Sequence, residues 1–184
     1  MKRFLTCLTL LCGLAAVPAY ATLAVGTVAP DFSAKASLGG REFDFSLAEA
    51  LKHGPVVLYF YPAAFTKGCT IEAHEFADAT DKFKALGATV IGVSHDSIDT
   101  LDKFSVSECR SKFAVAADPE GAVIKAYDTP LPQNPAIANR TSYVITPDHK
   151  IIMVYTAMDP YQHVDLTLRA VEDWRATHHH RHGS

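Results

Sequence analysis

Two kinds of apolar repeat alternate along this chain. Val56-Val57-Leu58-Tyr59-Phe60-Tyr61 is an unbroken apolar, β-rich run, the pattern of a strand buried on both faces. From Glu72 the spacing becomes helical: Ala73, Phe76, Ala77, Phe83 and Leu86 recur on one side, and Gly87 ends the pattern. Thr89 to Ser94 reads as a second buried strand. Asp96 or Ser97 caps a helix expected to run to about Lys112, with Leu101 and Phe104 facing inward. Val115 to Ala117 is a short strand, Asp118-Pro119-Glu120-Gly121 a turn, and Val123 to Tyr127 a helical turn. Pro130, Pro132 and Pro135 make Thr129 to Asn139 an extended surface loop. Ser142 to Thr146 and Ile151 to Thr156 are strands joined by the hairpin Pro147-Asp148-His149-Lys150, and Val164 to Arg175 is a closing amphipathic helix. Ahead of the first long strand, Thr22 to Leu38 reads as a mixed leader containing Pro30. Gly39-Gly40 is a hairpin-like turn, Glu42 to Ser46 a short strand and Leu47 to Leu51 a short helix. The order β-α-β-α-β, then a hairpin and a helix, predicts an α/β domain with a central mixed sheet flanked by helices.

The first residues follow neither repeat. Lys2 and Arg3 precede an apolar stretch from Phe4 to Val17 and then Ala19-Tyr20-Ala21, which is the plan of a signal peptide cleaved after Ala21. The stretch is short for a membrane span, although an uncleaved N-terminal anchor is the competing reading. The division expected is therefore 1–21 signal peptide, 22–176 folded domain and 177–184 a His-rich tail. That tail is read as a disordered end or a tag remnant, with weak metal binding as the other possibility. Export places the protein in a bacterial periplasm. Cleavage lowers the basic residues from 17 to 15 against 20 acids, a net charge of −5. No basic stripe remains to suggest nucleic acid or a membrane surface as partner. Of four cysteines, Cys7 and Cys12 leave with the signal, and Cys69 and Cys109 stay.

Cys69 sits at the turn between the run ending at Tyr61 and the helical segment that follows. Backbone N–H groups and the positive helix end favour an anion there, and the thiolate is the reactive form of cysteine. In an oxidising compartment, however, two remaining cysteines commonly form a structural disulfide. No C-x-x-C pair is present, which disfavours a thioredoxin-type oxidoreductase. With no Gly-rich nucleotide loop, and no metal-ligand cluster outside the tail, neither a cofactor nor a metal is expected.

Several motifs in order now carry a resemblance. Pro62-x-x-x-Thr66-x-x-Cys69, Gly26-x-x-Ala29-Pro30-Asp31-Phe32, Cys69-Thr70-x-Glu72 and Arg140-Thr141-Ser142-Tyr143-Val144-Ile145 together make the chain similar to a peroxiredoxin. It most resembles the bacterioferritin comigratory, or Q-type, subfamily, over about Leu23 to Trp174. The resemblance implies a thioredoxin-like fold and a peroxidatic Cys69. The Cys69 thiolate attacks one peroxide oxygen and becomes a sulfenic acid while the other oxygen leaves. Thr66, the backbone N–H groups around Gly68 and Cys69, and Arg140 are the implied donors along that line. Pro62 is implied to shape the loop and keep water off the sulfur, and Glu72 to orient the arginine. Taken singly, Thr66 is a helix-start residue, Glu72 an N-terminal helix acid and Arg140 a surface cation. His74 and His95 have no implied role and read as surface or satisfied polar residues; the lone Trp174 reads as packing.

There are departures. Lys67 stands where many relatives have proline after the motif threonine, and His74 stands where many Q-type relatives carry a resolving cysteine five residues on. Cys109 is the remaining candidate, as in relatives whose resolving cysteine lies on the following helix. Counting turns from Leu101 and Phe104 places it on an exposed flank. A disulfide needs Cα atoms about 4.4–6.8 Å apart, so closing one between two helices calls for the turn after Cys69 to unwind. The implied partners are hydrogen peroxide or organic hydroperoxides and a thioredoxin-like reductant, with the protein a monomer. The alternative is a thioredoxin-fold binding or holdase protein in which Cys69–Cys109 is a permanent structural disulfide.

Overall fold

The computed structural model describes residues 22–179; the expected signal peptide lies outside them. The first strands are β1 (Ser33–Leu38) and β2 (Arg41–Ser46), paired so that Leu38 faces Arg41. The two residues between them, Gly39 and Gly40, have φ of 58° and 75°. Two successive left-handed residues suit the twist of a two-residue hairpin, which is why glycines stand there. β1 was not anticipated. Its alternation uses Ser, Ala and Lys, residues of low β preference, yet Ala36 and Ser37 are buried where β1 pairs antiparallel with β5 (Ala114–Ala117).

The short helix α1 (Leu47–Leu51) is capped by Ser46, whose hydroxyl accepts from the Glu49 backbone N–H. It leads to β3 (Val56–Phe60), all of whose residues are buried. The helix α2 (Lys67–Ala85), the strand β4 (Thr89–Ser94) and the helix α3 (Ile98–Ser107) come next. β5, α4 (Ala122–Ala126), β6 (Pro130–Leu131), β7 (Asn134–Ala138), β8 (Thr141–Ile145), β9 (Ile151–Thr156) and α5 (His163–His179) complete the chain. The expected loop around the three prolines is thus a small β6–β7 hairpin set apart from the main sheet, where Pro130 and Pro135 interrupt no central ladder. α5 runs past the expected domain limit at residue 176, so the first three residues of the His-rich tail are helical, and 180–184 lie outside the described residues.

Among the described residues the main sheet has seven strands in the order β2-β1-β5-β4-β3-β8-β9. β3, β4 and β5 are parallel; β8 joins β3, and β9 joins β8, antiparallel. This is the expected central mixed sheet flanked by helices. The continuous apolar run in β3 has a direct cause. Its odd residues Val57 and Tyr59, with Tyr61 beyond, pack in the apolar layer that includes Phe76 of α2, Leu101 of α3 and Val171 of α5. Its even residues Val56, Leu58 and Phe60 pack in the opposite layer with Leu47 of α1 and Ile124 of α4. Both faces are covered, so period-two alternation of polarity vanishes.

α3 ends earlier than expected. It stops at Ser107 rather than near Lys112, because Arg110 and Ser111 take left-handed backbone, φ 50° and 54°. The chain folds back there under a bond from the Cys109 N–H to the Phe104 carbonyl, 3.0 Å.

Candidate active site

β3 delivers the chain to the start of α2 through a tightly held turn. Tyr61 N–H still bonds the Val93 carbonyl of β4 at 3.1 Å. Half-buried Pro62 follows. The Asp96 carboxylate then takes the Ala64 N–H at 2.8 Å and the Ser94 hydroxyl at 2.7 Å, fixing the loop from below. Phe65 has φ 63° and is 49% exposed, with its ring edge-on to Phe104 at 5.3 Å. Thr66 is the N-cap residue of α2, and its carbonyl accepts the Thr70 N–H at 2.9 Å. Its hydroxyl, expected to serve a peroxide, here donates to the Ala63 carbonyl at 3.0 Å and makes no cap bond.

α2 begins at Lys67, earlier than its apolar periodicity, because the first turn is held by the site rather than by an apolar stripe. Cys69 is therefore in that first turn, with the helix N-terminus at its back, and is 2% exposed. Arg140, just before β8, is buried against it and donates three ways. Nη2 reaches Cys69 Sγ at 3.4 Å, Nη1 bonds Glu72 Oε2, and Nε bonds the Met158 carbonyl at 3.1 Å. Glu72 is one turn beyond Cys69 on α2 and fully buried. The fold brings Cys69, Glu72 and Arg140 to one point, although they lie up to 71 residues apart in the chain. Burial opposes the charge on Arg140, but Glu72 and Cys69 beside it leave its pKa raised. Burial pushes the Glu72 carboxyl up to about 8 against the pull of Arg140.

Sequence reasoning missed three contributors. A Cβ at Gly68 would lie 2.9 Å from Arg140 Nη2, so glycine leaves room for the guanidinium. Asp96, read as a helix cap, holds the loop instead. His163, the first residue of α5, is fully buried behind Glu72. An unremarkable polar residue ahead of an amphipathic helix gave no sign of this.

Cys109 corrects the expectation of an exposed flank. It lies beyond the end of α3, is 0% exposed and belongs to the same apolar layer as Cys69. Both thiols are free. Burial, with Glu108 adding to it, pushes the Cys109 thiol well up. His74 bonds Glu108 at 2.9 Å, Nε2 to Oε2. His95 is half-buried at the end of β4. Trp174 stacks on His178 at 4.5 Å on α5. Among the described residues, Glu42, Asp99 and Asp102 bring carboxylate oxygens within 4.8 Å of one another on β2 and α3, but they take no part in the Cys69 constellation.

The arrangement is suited to one kind of chemistry. A buried sulfur at a helix N-terminus, faced by a fixed guanidinium, stabilises a thiolate and can follow negative charge as it moves onto a departing oxygen.

Known proteins agree with this geometry. The AhpC/TSA family model matches residues 25–154, more than half of the chain. A chloroplastic peroxiredoxin Q from Sedum lineare is 32% identical over 154 residues, covering 83% of this chain and 80% of its own. A putative peroxiredoxin bcp from Helicobacter pylori is 40% identical over 105 residues, 57% of this chain and 66% of that one. The crystal structure of peroxidoxin BcpB from Mycobacterium tuberculosis superposes with a TM-score of 0.73 at 30% identity, covering 81% of this chain and 96% of that one. The sheet order and helix placement are accordingly those of the thioredoxin-like peroxiredoxin fold. Motifs, geometry and relatives converge: this chain belongs to the AhpC/TSA family and is a peroxiredoxin, a thiol peroxidase.

Proposed function

We propose that the protein is an exported peroxidase that reduces hydrogen peroxide and organic hydroperoxides through Cys69 and closes its cycle with Cys109. The observation that carries this reading is the Arg140 guanidinium at 3.4 Å from Cys69 Sγ, held in place by Glu72 and Met158. The Cys69 thiolate attacks the terminal peroxide oxygen. A sulfur–oxygen bond forms, the oxygen–oxygen bond breaks, and the second oxygen leaves with the electron pair and takes up a proton. Cys69 is left as a sulfenic acid, water or an alcohol departs, and Arg140 and the first N–H groups of α2 stabilise the charge in transit.

The Cys109 thiol then attacks the sulfenic sulfur; a disulfide forms and water leaves. A buried, high-pKa thiol is a poor nucleophile, so this step calls for local opening of the segment after α3 and of the first turn of α2. A thioredoxin-like dithiol donor restores both cysteines and is itself oxidised. Because the two thiols belong to one chain, a monomer suffices. Lys2-Arg3, the apolar stretch and Ala19-Tyr20-Ala21 support export, and a bacterial periplasm is the compartment proposed. Two free cysteines and the family give the holdase reading no support.

The test is peroxide consumption with a dithiol donor. Cys69→Ser abolishes it, and Cys109→Ser retains a single turnover and stops. Multiple turnovers by Cys69→Ser would overturn the mechanism.

A further inference from the structure

Arg140 serves Cys69 only while its guanidinium stays aimed at the sulfur. The two bonds that aim it go to the Met158 carbonyl and to Glu72. Both of those acceptors lead to the same side chain. His163 Nε2 lies 2.9 Å from the Ala157 carbonyl, in the residue next to Met158. Its Nδ1 lies 2.8 Å from Ser142 Oγ on β8 and 3.7 Å from Glu72 Oε1. The Tyr155 ring of β9 closes over it edge-on at 4.8 Å.

The hydrogen positions follow from the partners. A carbonyl only accepts, so Nε2 carries the hydrogen, and in a neutral ring Nδ1 accepts from the Ser142 hydroxyl. Neutrality is what the surroundings favour: burial first, and Arg140 nearby, hold the His163 pKa down to about 4. At 3.7 Å the Glu72 Oε1 contact is too long for a hydrogen bond, so the ring acts on Glu72 as a wall.

We propose that His163 is a positioning residue of the Cys69 site: it ties down the Ala157–Met158 turn, backs Glu72, and so holds both anchors of Arg140. The proposal deepens the peroxidase reading and rests on Arg140 serving Cys69. It assigns His163 no contact with peroxide and no proton transfer.

The test measures the rate of Cys69 oxidation by hydrogen peroxide and the pH profile of Cys69 alkylation, both read by peptide mass spectrometry in the full chain. His163→Leu removes both hydrogen bonds, His163→Asn loses the Nε2 donor, and His163→Gln can restore a donor near the Ala157 carbonyl. His163→Leu and His163→Asn are expected to slow oxidation by about 10²-fold, the scale of a small misplacement in a site. Both also move the alkylation profile to higher pH, and His163→Gln recovers most of each loss. In an Arg140→Leu background, His163→Asn then adds no further loss. Equal losses in His163→Asn and His163→Gln that track their urea midpoints would overturn the proposal, as would wild-type rates in His163→Asn. Should His163→Leu fail to fold, the Asn and Gln pair decides alone. If Arg140→Leu itself oxidises at the wild-type rate, it is the underlying reading of the site that fails.

Discussion

At the residue scale, the site depends on one planar cation meeting three acceptors. Arg140 reaches sulfur, carboxylate and carbonyl from its separate nitrogens, a pattern that a lysine ammonium on a flexible stem cannot reproduce. Arg140→Lys should therefore lower the rate of Cys69 oxidation by about 10²-fold despite retaining the charge, as stopped-flow mixing with hydrogen peroxide would measure. Gly68→Ala tests the same point by sterics. Its Cβ would stand 2.9 Å from Nη2, so oxidation should slow while the thermal midpoint changes little; an unchanged rate would mean that the guanidinium has room to spare. That Cys69, Glu72 and Arg140 meet was legible in the sequence because each stands in a motif and the motifs occur in family order; the hydroxyl of Thr66, expected beside them, bonds the Ala63 carbonyl instead. His163 was not, because its meaning lies in Glu72, Ser142 and Ala157, which reach it from three other parts of the chain.

At the element scale, the segment after α3 is held to α2 by a row of polar contacts. His74, Asp78 and Asp81 lie on one face of α2, and they meet Glu108, Arg110 and Lys112, which alternate along the segment, at 2.9, 2.6 and 3.4 Å. Cys109 lies between the first two and points into the core. Asp78 and Asp81 are 68% and 77% exposed, so each of their pairs contributes on the order of 0–1 kcal/mol. Removing both by Asp78→Asn with Asp81→Asn should speed labelling of Cys109 by a thiol reagent several-fold and leave Cys69 oxidation unchanged. Added salt should do the same in the wild type and have less effect in the variant. Labelling rates that ignore both changes would show that the row does not restrain Cys109. Element boundaries were less legible than element types. The left-handed pair Arg110-Ser111, which ends α3, contains no glycine or proline to announce it. β1 was hidden because alanine and serine carry little strand signal until a neighbouring strand buries them.

At the scale of the whole molecule, the buried Glu72 and His163 give stability a predictable pH dependence. Burial holds the folded Glu72 carboxyl at a pKa of about 8 against its ordinary 4.5, so between those limits the folded state holds more protons and stability falls as pH rises. His163 has a folded pKa of about 4 against 6.5, so between those limits the unfolded state holds more protons and stability rises with pH. The two oppose each other up to about pH 6.5. From there to about pH 8 Glu72 acts alone, and stability should decline by at most about 1.4 kcal/mol per pH unit. Urea midpoints taken across that range should fall for the wild type and flatten for Glu72→Gln; parallel curves would contradict the assignment. The α/β plan itself was readable because β3 and β4 are apolar on both faces and α2 carries a clear helical repeat, and these features fix a covered parallel core. The burial of Cys109 was not readable, since one residue's depth depends on where a helix stops. The two-cysteine cycle is tested most directly by mixing the reduced protein with one equivalent of hydrogen peroxide, blocking free thiols at increasing times and mapping the peptides by mass. A Cys69 sulfenic acid is expected first, replaced in time by a Cys69–Cys109 disulfide. An unmodified Cys69 after the peroxide is consumed, or an oxidised Cys69 that never pairs with Cys109, would contradict it.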